Sequence, residues 1–166
     1  MSSYIKLIIF IIILVSISIA VVFIDSSMDN VNKSMPDISN NIVKGDKDYN
    51  QSVLLLNNKN YNESMIKAVS AGNSYNASLN QLLNIRNDFY NDLNKIHKQY
   101  IDTTINELEL KLSAVDELKQ SIDYLERYYN YTGTTHASKA NIDIYDAVEY
   151  QNQRNMIVQN NPELFN

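Results

Sequence analysis

Sixty consecutive residues, Asn73 to Thr132, contain neither glycine nor proline. A backbone without these residues has little means of reversing direction, so regular structure must run far through it. Apolar residues there recur every three or four positions. Leu79, Leu82, Phe89, Leu93, Ile96 and Tyr100 form one stripe. Ile101, Ile105, Leu108, Leu112, Val115, Leu118, Ile122, Leu125 and Tyr129 form a second, slightly shifted in phase. This is the helical period. With three glycines and two prolines in 166 residues, the expected fold class is all-α, built from long helices.

A second constraint is the run Leu7–Ile24, LIIFIIILVSISIAVVFI, which carries no charge and no proline. As a helix it would reach roughly 27 Å, close to the hydrocarbon thickness of a bilayer. It reads as a transmembrane anchor over 7–24 behind a short cytoplasmic tail, 1–6. Lys6 and the amino terminus precede it, whereas Asp25 and Asp29 follow, with the first downstream lysine at Lys33. The positive-inside tendency then puts the amino terminus in the cytoplasm and the carboxyl-terminal domain outside the cell membrane, as a single-pass protein. A cleaved signal peptide is the rival. Ser18-Ile19-Ala20 offers a small-residue site, but the apolar run continues past it and exceeds the usual signal core. The absence of cysteine rules out a disulfide framework and thiolate metal sites.

Beyond the run, the chain is one domain long and carries a formal charge of −6, since Lys6 is the only charged side chain before it. That balance argues against a nucleic-acid partner and against electrostatic docking on anionic lipid. Asparagine is abundant, with isoleucine and tyrosine also high, as an AT-rich genome would produce. In composition and layout the chain resembles uncharacterised single-pass membrane proteins of methanogenic archaea. The resemblance implies an envelope-facing location and carries no diagnostic motif.

The domain divides as follows. Residues 25–35 read as a juxtamembrane connector, because Pro36 is best placed in a first helical turn. The helical domain then covers 36–160. A first helix near 36–57 follows the phase of Met28, Val31, Met35, Ile38, Ile42, Tyr49, Val53 and Leu56, with Gly45 a point of bending. Asn57-Asn58-Lys59-Asn60 makes a turn. The segment from Tyr61, with small residues at Ser64, Ala68 and Ala71, resembles the second helix of a tetratricopeptide hairpin over one repeat, too few for a solenoid. The phase shift near Tyr100 marks a turn or a stutter. Thr104-Ile105-Asn106-Glu107 fits a capping box, so helices near 61–99 and 104–131 are expected with the break at 100–104. A last helix follows Gly133, near 136–159. The expected architecture is an up-down bundle, with one long central helix forming a coiled coil as the runner-up.

Chemistry-bearing constellations are sparse. His97 and His136 stand without partners at metal-ligand spacing, no nucleophile motif surrounds any serine, and no glycine-rich loop exists. Asp46-Lys47-Asp48-Tyr49-Asn50 imitates the start of a calcium loop but lacks its glycine and terminal glutamate, and reads as a solvated polar turn. The carboxylate pairs Glu107/Glu109, Asp116/Glu117 and Asp143/Asp146, beside Lys111, Lys119 and Arg127, read as a solvent face. Catalytic residues, metal sites and cofactors are therefore not expected. Asn32, Asn50, Asn62, Asn76 and Asn130 are candidate glycosylation acceptors, little more than so asparagine-rich a chain carries by chance. Tyr124, Tyr128 and Tyr131, crowded with Tyr129, are candidate partner-contact residues, since tyrosine gives large contact area at low entropic cost. The functional expectation is a non-enzymatic, membrane-anchored extracytoplasmic scaffold or accessory interaction protein. It would use membrane lipid through its span and an envelope protein, or itself, as partner. The alternative is a sensor-type bundle that binds a small ligand.

Overall fold

A computed structural model describes Phe23 and residues 29–165. Four long helices follow one another: α1 (Asp29–Asn57), α2 (Tyr61–Phe89), α3 (Lys95–Glu126) and α4 (Asn130–Asn160), with a 3-10 turn at Pro162–Leu164. They make an up-down bundle in which each helix packs on its neighbour in sequence. No Cα of α1 lies within 8 Å of a Cα of α4, so these two helices are the flanks of the array. The apolar positions read along α1 (Val31, Met35, Ile38, Ile42, Tyr49, Val53 and Leu56) are all buried. Among the described residues no helix is long and apolar enough to cross a membrane. The proposed tail, the span other than Phe23, and connector residues 25–28 lie outside them.

The two hairpins, α1–α2 and α3–α4, are built alike. At the first turn Lys59 has φ 59°, and the amides of Lys59 and Asn60 donate to the carbonyls of Leu56 and Leu55. At the second, Tyr128 has φ 65°, and the amides of Tyr128 and Tyr129 donate to Leu125 and Tyr124. Both are Schellman closures in which a non-glycine residue takes the left-handed position. The helix after each turn then presents small buried residues at matching steps: Ser64, Ala68 and Ala71 on α2, and Gly133, Ala137 and Ala140 on α4. Small side chains let the paired backbones approach closely. At Gly133 an added Cβ would lie 2.5 Å from Leu125 Cγ. The tetratricopeptide-like spacing at Ser64–Ala71 is thus a hairpin-packing face that occurs twice.

Several boundaries differ from the sequence reading. The break between α2 and α3 falls at 90–94, not 100–104, and its presence excludes a single long central helix. Asn94 is the true N-cap, its side chain accepting from the His97 amide at 2.8 Å. Thr104 lies inside α3, where its hydroxyl donates to the Tyr100 carbonyl at 2.7 Å, so the capping box does not form. Residues 29–35 belong to α1 rather than to a connector. Pro36 sits within that helix, and the buried Val31 and Met35 hold the turns before it. The last helix starts at Asn130, ahead of Gly133.

Phe23, expected within the span, packs instead at the base of the bundle. It bridges Phe165 in antiparallel fashion, and its ring stacks on His97 at 4.1 Å. Its amide donates to Asn32 Oδ1 at 2.7 Å, and its carbonyl accepts from Asn32 Nδ2 at 2.8 Å. Tyr100 and Phe165 complete the aromatic cluster, and His97 Nε2 lies 3.1 Å from the Leu164 carbonyl oxygen.

Candidate functional site

Two features stand out, a charged layer inside the bundle and a tyrosine corner outside it. The layer draws a side chain from every helix. Tyr75 (α2) donates to Asp46 Oδ1 (α1) at 2.7 Å, and Lys111 Nζ (α3) lies 2.8 Å from the same oxygen. Lys111 also pairs with Glu107 Oε1 at 2.8 Å, and Arg154 (α4) reaches Glu107 Oε2 at 3.2 Å. All five residues are buried. Two cations face two anions, so the layer is neutral as a whole.

Burial alone would push the Lys111 ammonium toward neutrality, but Glu107 and Asp46 outweigh it and hold its pKa above the ordinary value. Tyr75 is raised by burial and by the Asp46 charge, so it stays a neutral donor. Because the Lys111 pKa is higher in the folded state, its contribution is present throughout the neutral range. It is lost only as pH climbs through that raised value. Glu107 and Lys111 are therefore buried in the bundle interior and are not part of a solvent face. Glu109, Asp116 and Asp146 are exposed as expected, while Glu117 and Asp143 are half-buried.

The 46–50 segment is likewise a stretch of α1 and not a solvated turn. Asp48 accepts from Ser70 Oγ at 2.7 Å and Lys67 Nζ at 3.0 Å. Burial raises its pKa, but the Ser70 and Lys67 bonds together pull it below the ordinary 3.8. A depressed carboxylate stabilises the fold above about pH 4 and loses that effect as pH falls through its lowered value. Asp48→Asn should therefore flatten the acid limb of a urea-midpoint profile between about pH 5 and pH 2. An acid limb identical to the parent's would remove Asp48 from the account.

The corner sits where α3 gives way to α4. Tyr128 and Tyr131 are each 88 % exposed and Tyr129 is exposed too. Tyr124 is only half-buried, its ring stacked on His136 at 5.3 Å and edge-on to Tyr129 at 6.3 Å. His136 Nδ1 lies 2.5 Å from Glu117 Oε2, tying α4 to α3 beneath the corner. Tyr124 thus supports the corner, while Tyr128 and Tyr131 face outward.

The sequons separate by geometry. Asn32 is engaged by Phe23 and Asn50 is half-buried, whereas Asn62, Asn76 and Asn130 are exposed. Three of their serines have another use. Ser52 and Ser64 exchange side chain-to-carbonyl bonds at 2.7 and 2.8 Å, and Ser78 donates to the Ile38 carbonyl at 2.9 Å. These bonds fasten α1 to α2.

Among the described residues, no three His, Asp or Glu side chains gather as a metal-binding group. One surface recess is lined by Gln99, Gln153, Met156, Ile157, Asn160 and Asn161, and another by Met65, Asp116, Lys119, Gln120, Asp123 and Tyr124. Neither reaches the charged layer. No family model matches the sequence, and neither a curated protein nor a solved structure shows significant similarity to it.

Proposed function

We propose that this chain is a non-enzymatic, membrane-anchored helical scaffold whose tyrosine corner docks on an envelope protein outside the cell membrane. The observation that carries the reading is Tyr128. At 88 % exposure the Tyr128 side chain adds little to folding, and, like Lys59 in the matching turn, it holds a left-handed backbone position where glycine costs less. The corner also lies at the far end of the bundle from Phe23. The 29 residues of α1 place the two ends roughly 43 Å apart.

With Phe23 held in the base, Leu7–Val22 remains for the membrane. As a helix it would be about 24 Å long, slightly under a usual span, a mismatch that local bilayer thinning accommodates. The buried charged layer of Asp46, Glu107, Lys111 and Arg154 is paired within itself, which weighs against the small-ligand sensor.

Tyr128→Gly with Tyr131→Ala should leave the fold as stable as the parent or firmer by about 1 kcal/mol, since the left-handed penalty is relieved. The same variant should lose at least about tenfold of any envelope partner cross-linked in cells and captured on a carboxyl-terminal tag. Undiminished recovery of that partner would overturn the docking role. A domain shielded from added protease in right-side-out vesicles would overturn the orientation.

A further inference from the structure

The outer flank of α4 carries an uninterrupted exposed stripe: Tyr131, Thr135, Ser138, Ile142, Tyr145, Glu149, Asn152 and Met156. Ile142, Tyr145 and Met156 are each more than half exposed. An end helix of a linear array normally turns a polar face to water. The other flank is more polar: α1 exposes Lys33, Asp37, Asn40, Lys44 and Lys47, with Val43 and Leu54 its exposed large apolar residues.

From the pattern of this stripe we infer that α4 is the contact face for a second copy of the same chain, packed antiparallel about a two-fold axis between Ile142 and Tyr145. The steps alternate four and three, which is a coiled-coil seam. Reversing one copy about that axis sets Tyr131 against Met156, Ile142 against Tyr145, Thr135 against Asn152 and Ser138 against Glu149. Apolar residues meet apolar ones and polar residues meet polar ones, as an isologous interface requires. Methionine sulfur over an aromatic edge adds a favourable contact at each end.

Charge decides the direction. In the antiparallel pair Lys139, whose ammonium lies 3.8 Å from Glu117 Oε1 of its own bundle, also faces Asp146 of the second copy, twice across the seam. A parallel pair would stack Glu149 on Glu149, placing like charges in contact. The stripe is roughly 38 Å long and one helix wide, at the small end of specific interfaces, so the association should be reversible and concentration-dependent.

The chain has no cysteine, so introduced thiols report cleanly. Full-length Ser138→Cys and Glu149→Cys proteins in detergent micelles would be oxidised separately and as a mixture. The expected result is a disulfide dimer from the mixture, at least fivefold above either protein alone. Self-linking of each protein alone to the same extent, or no linking in the mixture, would overturn the antiparallel contact.

Two charge variants give a second reading. Lys139→Glu should weaken association several-fold, and adding Asp146→Lys should restore it; a double variant as weak as the single would count against the pairing. Ile142→Glu should raise the dissociation constant at least tenfold with helicity unchanged. None of these substitutions touches Tyr128 or Tyr131, and because the seam shares Tyr131 with the corner, Tyr128→Gly alone tests the corner independently of this contact.

Discussion

Lys111→Met should lower the stability of the bundle by about 3–5 kcal/mol, the usual consequence of stripping a buried ion pair of one partner. Asp46 and Glu107 are both buried and both direct a carboxylate oxygen at the Lys111 ammonium, 2.8 Å from each. Without it, Glu107 retains Arg154 at 3.2 Å, while Asp46 loses the Lys111 ammonium and keeps the Tyr75 hydroxyl at 2.7 Å. Domains of this size are stable by only about 5–15 kcal/mol, so a melting temperature lower by roughly 10 °C or more is expected. Adding Asp46→Asn to Lys111→Met should recover part of the loss. A single variant within 1 kcal/mol of the parent by urea denaturation would show that the layer does not hold the helices together.

Gly45→Ala should also destabilise, by about 2–3 kcal/mol, although helix propensity alone predicts a gain near 1 kcal/mol. The new methyl would lie 2.4 Å from Tyr75 Cε1 and 2.6 Å from Cδ1. The ring has little freedom to retreat, because its hydroxyl is bonded to Asp46 at 2.7 Å and Lys111 Nζ sits 5.6 Å from its centre. Relief must come from separating α1 and α2, which also stretches the Ser52–Ser64 and Ser78–Ile38 bonds. Pairing the change with Tyr75→Leu should restore part of the lost stability. A Gly45→Ala protein more stable than the parent in thermal melts would mean that α1 and α2 sit further apart than described.

These two sites also show where sequence reasoning succeeded and where it stopped. The α1 stripe and the turn at 57–60 were legible because apolar spacing and an asparagine cluster are local signals. Tyr90-Asn91-Asp92-Leu93-Asn94 carries a similar polar cluster, but the fit of Thr104–Glu107 to a cap drew the break ten residues downstream. Glu107 and Lys111 were read as surface because charged residues seldom lie fully buried. Their register said otherwise. Tyr100, Thr104, Glu107, Lys111, Ala114, Leu118, Ser121 and Leu125 step by four and three along α3, and every one is buried. Gly45 looked like a bend because the residue that occupies its missing side chain, Tyr75, is thirty positions away. Phe23 gave no hint of its own, since an aromatic ring at the end of an apolar run looks the same whether it meets lipid or protein. The tyrosine corner was visible as composition, but only the backbone at Tyr128 separated outward-facing members from the supporting Tyr124.

The seat of Phe23 at one end of the bundle has a consequence for how copies of the chain can meet. Two bundles joined along α4 in opposite directions carry their Phe23 ends at opposite extremes of the pair. If the chain is anchored as proposed, copies rooted upright in one bilayer cannot adopt that arrangement, whereas copies rooted in two facing bilayers can. The pair would then be a spacer, holding apposed surfaces apart by roughly one helix length.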